Sequence, residues 1–245
     1  MDARSFSMGG TASLDQGVSA LFTNPAGLAT AKEFGALATA QNQFLLPELQ
    51  SAGLAALLPT KTGNFGLKAA AFGSQAYREN LFSLAYGRQL SQRFRLGAEL
   101  IYWNNAIPEY GTKGYLTFAL GIQSQLSKQV SVAAYLYNPI RAERQDEELT
   151  YSVLQLGLGY QPSEQLNIVA EVEKDIDRPA NFRAGIEYSL NDLFALRLGV
   201  GTAPSLFSFG FSIQIFPQIQ VDVATSRHEL LGFSPGFSLI YTNTQ

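Results

Sequence analysis

ARSFSMGGTASLDQGVSALFTNPAGL, residues Ala3 to Leu28, is the stretch on which the fold depends. It is too polar and too rich in glycine for a signal peptide or a membrane helix. Its apolar residues follow neither the helical nor the strand period, whereas from Phe34 onward they recur at every second position. We therefore predict an N-terminal plug, or hatch, over residues 1–33 and a β-barrel over residues 34–245 that is built around it.

The composition indicates that this barrel lies in a membrane. Charged residues make up 15% of the 245 residues, against about 25% in a typical soluble domain. Aromatic residues reach 12% and glycine is abundant at 22 residues, yet no apolar run approaches the ~18 residues of a membrane-spanning helix. This combination predicts an all-β fold, a transmembrane antiparallel β-barrel; a soluble all-β fold is the alternative.

The segments after Phe34 have the period of strands. In the stretch 115–126, for example, Leu116 and Leu120 share one face while Thr117 and Gly121 share the other. About fourteen such segments follow one another, an even number as in bacterial outer-membrane barrels, and most have the ~9–11 residues that a tilted strand needs to cross a bilayer. The predicted strands are 34–46, 51–60, 64–74, 80–90, 93–104, 115–126, 129–139, 150–161, 165–174, 181–190, 193–202, 205–216, 218–226 and 233–243.

The connections between the segments alternate between short and long. Tight turns are expected at 61–63, 91–92, 127–128, 163–164, 191–192 and 217. Longer connections are expected at 105–114, 140–149, 175–180 and 227–232. Short periplasmic turns and longer outer loops are typical of barrels in the bacterial outer membrane. We therefore expect that location, with outer-membrane lipids around the barrel and a signal peptide already removed.

Aromatic residues support the same interpretation. Several of them share the apolar face and lie beside a tight turn or the C-terminus, which predicts an aromatic girdle at the periplasmic interface. Its members are Tyr86, Phe94, Tyr160, Tyr188, Phe194 and Tyr241.

Charged residues occupy the opposite face of the strands. A charge on the lipid face costs about 2–4 kcal/mol at mid-bilayer, so these side chains should point into the lumen. Both signs occur on neighbouring strands, as in Glu171 and Arg183 or Glu187 and Arg197, and we interpret them as a neutralised charge ladder between barrel and plug. A polar permeation path is the alternative. The residues are Lys68, Arg95, Glu99, Glu171, Glu173, Arg183, Glu187, Arg197 and Asp222.

The sequence argues against several other classes of function. A net charge of -3 does not suit a nucleic-acid partner. With no cysteine and one histidine, His228 in a predicted outer loop, no metal site, cofactor site or catalytic constellation can be assembled. We therefore expect a protein without cofactor or enzymatic activity.

The N-terminal stretch resembles the start of the PorV/PorQ family of outer-membrane proteins. The similarity rests on residues 4–10, which contain Met8, Gly9 and Gly10, and on residues 20–28, which end in Asn24, Pro25, Ala26, Gly27 and Leu28. That family is related to the FadL-type long-chain fatty-acid transporters. The resemblance implies a fourteen-stranded barrel with an N-terminal hatch, of which the eight named residues are the motif.

The resemblance implies two functions of different kinds. PorV-type proteins of the Bacteroidota work with the type IX secretion system, which implies outer-membrane or surface proteins as partners. FadL-type proteins pass hydrophobic molecules, which implies a hydrophobic ligand. The predicted outer loops are short and could let another protein sit on the outer face, so we prefer the partner role. Transport would need an apolar track in the lumen, for which the candidates are Phe72, Ile101, Trp103, Tyr135 and Tyr137.

Overall fold

Fourteen strands form a closed antiparallel barrel, which confirms the predicted fold class. The computed structural model describes residues 1–108, 111–141, 143–145 and 148–243, with only the backbone described for 143–145 and 148–149. Each barrel strand pairs with its neighbours along the chain, and the last strand pairs with the first. The barrel strands are β1 (Gly35–Asn42), β2 (Gln50–Thr60), β3 (Gly63–Gly73), β4 (Arg78–Gln89), β5 (Phe94–Ile107), β6 (Gly111–Gln125), β7 (Val130–Tyr137), β10 (Val153–Tyr160), β11 (Leu166–Asp175), β12 (Asn181–Ser189), β13 (Phe194–Thr202), β14 (Ser205–Phe216), β15 (Ile219–His228) and β16 (Gly232–Thr242).

The remaining elements are short. The helix α1 spans Ala3–Ser7, and 3-10 turns span Gly17–Phe22, Pro25–Thr30, Gln43–Leu45 and Pro47–Leu49. Strands β8 (Glu143–Gln145) and β9 (Glu148–Leu149) pair only with each other. Within the described ranges, no helix is long and apolar enough to cross a membrane.

The structure differs from the predicted strands and loops most clearly at three places. The expected connection 105–114 is largely strand, because β5 runs to Ile107 and β6 begins at Gly111; its residues 109–110 lie outside the described residues. Polar side chains such as Asn105 end the apolar alternation there, but the backbone ladder does not need them to be apolar. The first predicted strand, 34–46, ends at Asn42, since Phe44 and Leu45 take left-handed φ values of 56° and 59°. The predicted loop 140–149 contains the β8–β9 pair.

The two faces of the wall differ as a membrane barrel requires. Leu54, Leu67 and Leu116 on the outer face are 64%, 61% and 58% exposed, whereas the inward-facing Leu57 and Ile101 are each 1% exposed. An apolar outer band of this kind is stable only against lipid. The inner face carries polar and small side chains, and it packs against residues 1–33, called here the N-terminal segment.

Candidate functional site

The N-terminal segment lies inside the barrel, toward the end that carries the short turns. Its first strand contact is made by the backbone N–H of Ala3, which donates to Ser238 Oγ at 2.8 Å. Its far end is held by Asn64, whose Nδ2 donates to the carbonyl oxygens of Leu28 and Ala31 at 2.6 and 2.8 Å. The segment is therefore bound to the wall at both of its ends.

The stretch Asn24–Leu28 forms the buried turn of this segment. Asn24 caps the 3-10 turn that Pro25 begins, because its Oδ1 accepts from the N–H of Ala26 at 3.0 Å. Its Nδ2 lies within hydrogen-bond distance of the carbonyl oxygens of Ser13, Ile122 and Ala134, at 2.9, 3.3 and 3.2 Å. One side chain thus joins the two halves of the segment to strands β6 and β7.

The other motif residues pack without free space. Leu28 and Ala26 are fully buried, and Leu28 belongs to an apolar cluster that contains Leu21 and, from the wall, Leu57. A Cβ atom on Gly27 would lie 2.0 Å from the carbonyl oxygen of Asp15, so only glycine fits there. The cluster fastens the segment to strands β1–β4 by apolar contact.

Met8, Gly9 and Gly10 form the turn after α1. Gly9 and Gly10 take left-handed φ values of 73° and 81°, which side chains other than glycine rarely adopt. Met8 is 1% exposed and lies against Gly185, whose missing side chain leaves room for it. This turn brings the backbone of the segment against β12 and β13.

Charged side chains bind the segment to the opposite half of the wall. Arg4 forms ion pairs with Asp15 at 2.7 Å and with Glu187 of β12 at 2.8 Å. Arg197 of β13 pairs with Glu187 at 2.5 Å and with Asp222 of β15 at 2.9 Å. The chain of alternating charges therefore runs from the segment through three strands.

A second group of charges lies on β11 and β12. Register places Glu171 opposite Arg183, but the guanidinium is 3.8 Å from Glu171 and only 2.5 Å from Glu173. Glu171 Oε2 instead accepts from the backbone N–H groups of Ala12 and Ser13 at 3.1 and 2.9 Å. The carboxylate thus contacts the segment directly.

Lys68 and Arg95 differ in their pairing. Lys68 lies 2.7 Å from Glu99 and donates to the carbonyl oxygen of Leu21 at 2.6 Å. Arg95 forms no ion pair with any described carboxylate, and its Nε has no hydrogen-bond partner among the described residues.

Asp15 has an unusual electrostatic position. Burial raises the pKa of Asp15 to about 7, although the neighbouring Arg4 acts in the opposite direction. Ser5 Oγ lies 2.6 Å from Asp2 Oδ1 and 2.5 Å from Asp15 Oδ2. A hydroxyl has one proton to donate, so a proton on one of the two carboxyls satisfies both contacts.

The girdle residues all lie on the outer face. Tyr160, Tyr188 and Phe194 are 44%, 49% and 44% exposed, Tyr241 is 39% exposed, and Tyr86 and Phe94 are half-buried. Tyr86 donates to the carbonyl oxygen of Thr62 at 2.6 Å, and its ring lies 4.9 Å from that of Phe65.

Apolar and aromatic side chains gather in the lumen nearer the long loops. We call this cluster the aromatic chamber: Leu81, Ile101, Ala119 and Tyr137, with Ala70, Trp103, Tyr135 and Val153 packed against them. Trp103 Nε1 donates to the hydroxyl of Tyr137 at 2.6 Å. The ring of Tyr151 stacks on that of Tyr137, with centroids 5.2 Å apart.

Two kinds of cavity flank the N-terminal segment. On the side of the aromatic chamber lies a cavity of about 100 Å³, the lumen cavity, bounded by Phe22 of the segment together with Phe72, Glu79 and Trp103. On the side of the short turns, two polar cavities of about 400 and 570 Å³ share Arg4, Gln16 and Glu187. The segment thus separates a polar space from an apolar one.

Several residues that hold the segment were not among the predicted ones. Gln123 Nε2 donates to the carbonyl oxygens of Ser13 and Asp15 at 3.1 and 2.9 Å, and Asn64 acts in the same way at the other end. The sequence feature that could have identified both residues is an amide side chain at an inward-facing position of a strand. His228 lies at the end of β15, where its Nδ1 accepts from the N–H groups of Leu230 and Leu231.

Comparison with known proteins shows which solved structures share this fold. No protein-family model and no curated protein matches the sequence. Solved structures do match over almost the whole chain. The Ralstonia pickettii toluene transporter TbuX has a TM-score of 0.73 at 13% identity, with 99% of this chain and 97% of that chain covered. The P. putida toluene transporter TodX has a TM-score of 0.73 at 14% identity, with 100% and 99% covered. A Pseudomonas aeruginosa FadL homologue has a TM-score of 0.71 at 13% identity, with 99% and 98% covered. At these identities the likeness is one of fold.

Proposed function

We propose that this protein is a channel through which small hydrophobic molecules cross the outer membrane, with the N-terminal segment as its gate. The observation that carries the proposal is the aromatic chamber on the outer side of a segment that fills the lumen. Toluene transporters share the fold, which supports the same reading.

The N-terminal segment is assigned as the gate because the wall of the barrel is closed. The strands are hydrogen-bonded to one another around the whole barrel. A molecule in the aromatic chamber therefore finds no gap between strands through which it could leave. Passage then requires the segment to move. One half is held by the charges on β11–β15 and the other by apolar contact with β1–β4, and displacement of the apolar half would open a route from the lumen cavity to the polar cavities.

Uptake of labelled toluene by cells that carry the full chain tests the proposal. Ala119→Leu narrows the chamber, because Ala119 is fully buried in it, and uptake should fall to the level of cells without the protein. Ala98→Leu lies on the outer face of β5 and serves as the matched control with unchanged uptake. Both variants are first checked for the heat-modifiable gel migration of a folded barrel. If the folded parent takes up no more toluene than cells without it, the proposal is wrong.

A partner role in type IX secretion is the second candidate. Its support is the N-terminal motif that resembles the PorV/PorQ family, and the structural comparisons favour transport. A pull-down from the native outer membrane in gentle detergent separates the two. Stoichiometric recovery of a large barrel or a surface lipoprotein, with toluene uptake unaffected by deletion, would favour the partner role.

A further inference from the structure

A shallow groove runs along the outer face of the barrel over β1–β3. Register places Ala40, Ala52 and Ala71 side by side on these three strands, and all three are exposed. Larger side chains stand on both sides of this floor, Phe237 on β16 and Phe82 on β4, which are 45% and 54% exposed. The groove is therefore a depression in the surface that faces the membrane.

Two cavities in the outer face make up this groove. One of about 730 Å³ lies nearer the short turns, and Ala38 and Ala69 contribute to its lining. The other, of about 700 Å³, lies nearer the long loops, where Ala40 and Ala71 line it. The cavities adjoin each other, because Ala38 and Ala40 are successive outward positions of β1 and Ala69 and Ala71 are those of β3. Each volume lies within the roughly 300–1,000 Å³ of a ligand pocket.

The groove is polar at one end only. Arg78, Asn80 and Gln50 line the end nearer the long loops. Their side chains form no hydrogen bond or ion pair with any described residue. The other end is apolar and is lined by side chains such as Leu84 and Leu239. Polarity thus changes along the groove as it does along a membrane lipid, from the head group to the acyl chains.

The chemistry of the polar end selects an anionic head group. Arginine binds phosphate through two parallel N–H···O bonds, and the amide groups of Asn80 and Gln50 can donate to further oxygens. Among the described residues that line the groove there is no Asp or Glu to oppose the charge of Arg78.

The width of the groove indicates more than one acyl chain. The groove extends from β16 across β1, β2 and β3 to β4, a distance of about 19 Å at the usual spacing of neighbouring strands. An apolar face of a membrane barrel is covered by lipid, and several chains can lie side by side on a floor of this width.

We propose that the groove binds a phosphorylated lipid with several acyl chains from the outer leaflet of the outer membrane. The phosphate contacts Arg78, and the chains lie on the floor of Ala40, Ala52 and Ala71. Arg78 is at the end of the long loops, which barrels of the outer membrane turn to the outside. The site lies outside the lumen, so it does not depend on the proposed channel function.

Native mass spectrometry of the full-length protein in a non-ionic detergent measures lipid binding directly. The probes are lipid A, a phosphorylated glycolipid with several acyl chains, and the same lipid after enzymatic removal of its phosphates. Lipid A should bind in a saturable manner, and the dephosphorylated form about 10-fold more weakly. Excess inorganic phosphate should leave lipid A bound. Displacement of lipid A by phosphate would make this a site for the free anion and overturn the inference.

Arg78→Gln removes the charge and keeps a hydrogen-bond donor. This variant should bind lipid A about 10-fold more weakly and the dephosphorylated form unchanged. Lys174→Gln is the matched control, because Lys174 is an exposed cation near the long loops on β11, on the opposite side of the barrel. It should behave as the parent. Equal affinity for the two lipids, or no response to Arg78→Gln, overturns the inference.

Ala52→Leu fills the middle of the groove and should weaken the binding of both lipids about 10-fold. Ala170→Leu makes the same change on the outward face of β11 and should bind both lipids as the parent does. Both variants are first checked for the heat-modifiable gel migration of a folded barrel. Unchanged lipid binding by Ala52→Leu would refute the position of the chains. A protein dimer that Ala52→Leu abolishes would assign the groove to a second copy of the chain and overturn the inference as well.

Discussion

The side-chain oxygen of Asn24 lies 1.8 Å from the position that a Cβ atom would occupy at Gly121. The wall of β6 therefore has a recess in which the buried turn of the N-terminal segment sits. A glycine in the middle of a strand weakens it, and here the missing side chain is what allows the segment to approach the wall.

Gly121→Ala should displace that turn. Overpacking of a fitted contact costs typically 1–3 kcal/mol, and Asn24 would lose its bonds to Ile122 and Ala134. We expect higher ion conductance in planar bilayers than for the parent. Gly201→Ala is the control, because its new Cβ would meet only the flexible side chain of Leu206, at 3.2 Å or more. Equal conductance of Gly121→Ala and the parent would contradict the fit.

Arg197→Gln should destabilise the barrel. Asp222 and Arg197 have side chains 0% and 3% exposed, and removal of one partner from a buried ion pair costs about 3–5 kcal/mol. The measurement is the urea concentration at which the folded band on a gel is lost. Arg95→Gln removes a lumen arginine without an ion-pair partner among the described carboxylates, and should change that midpoint little. A similar midpoint for both variants would argue against the charge ladder.

The stability with which the N-terminal segment is bound inside the barrel should depend on pH. The pKa of Asp15 rises from 3.8 in the unfolded chain to about 7 in the folded protein, so the stabilisation from its proton is complete below pH 3.8 and is lost as the pH rises through 7. The charged groups that face it are Arg4, Asp2 and Glu171. Conductance should therefore increase between pH 5.5 and pH 8.5.

Asp15→Asn provides the control for this pH dependence. An amide cannot ionise, so the conductance of this variant should stay constant over the same range. A flat profile for the parent would refute this pH dependence, and a rise that persists in Asp15→Asn would assign it to other groups.

Tyr86→Ala should weaken the barrel at the short-turn end. The change removes a ring pair worth about 0.5–1.5 kcal/mol and a hydrogen bond worth about 0.5–1.5 kcal/mol, so the free energy of unfolding in lipid vesicles should fall by about 2 kcal/mol. Tyr86→Phe keeps the ring and should lose about half of that. Equal losses for the two variants would mean that the ring contact with Phe65 contributes nothing.

The sequence predicted the fold correctly where apolar and polar residues alternate along the strands. Alternation alone separated Leu116 from Thr117 and placed them on opposite faces, because the side-chain period of a strand is fixed at two. It also placed Glu171 and Arg183 on neighbouring strands, and the structure shows them directly opposite each other. It did not show that Arg183 lies nearer to Glu173 and that Glu171 turns to the backbone of Ala12 and Ser13, because long side chains choose partners by reach rather than by register.

The contacts of the N-terminal segment were beyond sequence reasoning. Arg4 and Asp15 lie in a stretch without a period, so no pattern indicates which strands they face. The same holds for Trp103 and Tyr137: both were candidates for the lumen, but their hydrogen bond depends on the depth of each strand in the barrel. Register between distant strands is set by closure, which a local pattern does not contain.

The pairing of β1 with β16 joins two strands that are far apart in the sequence. Gly35 meets Thr242 across this seam, and the N–H of Ala3 is bonded to Ser238 on the last strand. Ala3 and Ser238 are 235 positions apart in the sequence, and contacts at such long sequence separation form slowly. Until β1 and β16 pair, the N-terminal segment is only partly enclosed by strands. The barrel closes around the N-terminal segment. A chain that ends before β16 would therefore lose both the pairing of β1 with β16 and the hydrogen bond of Ala3.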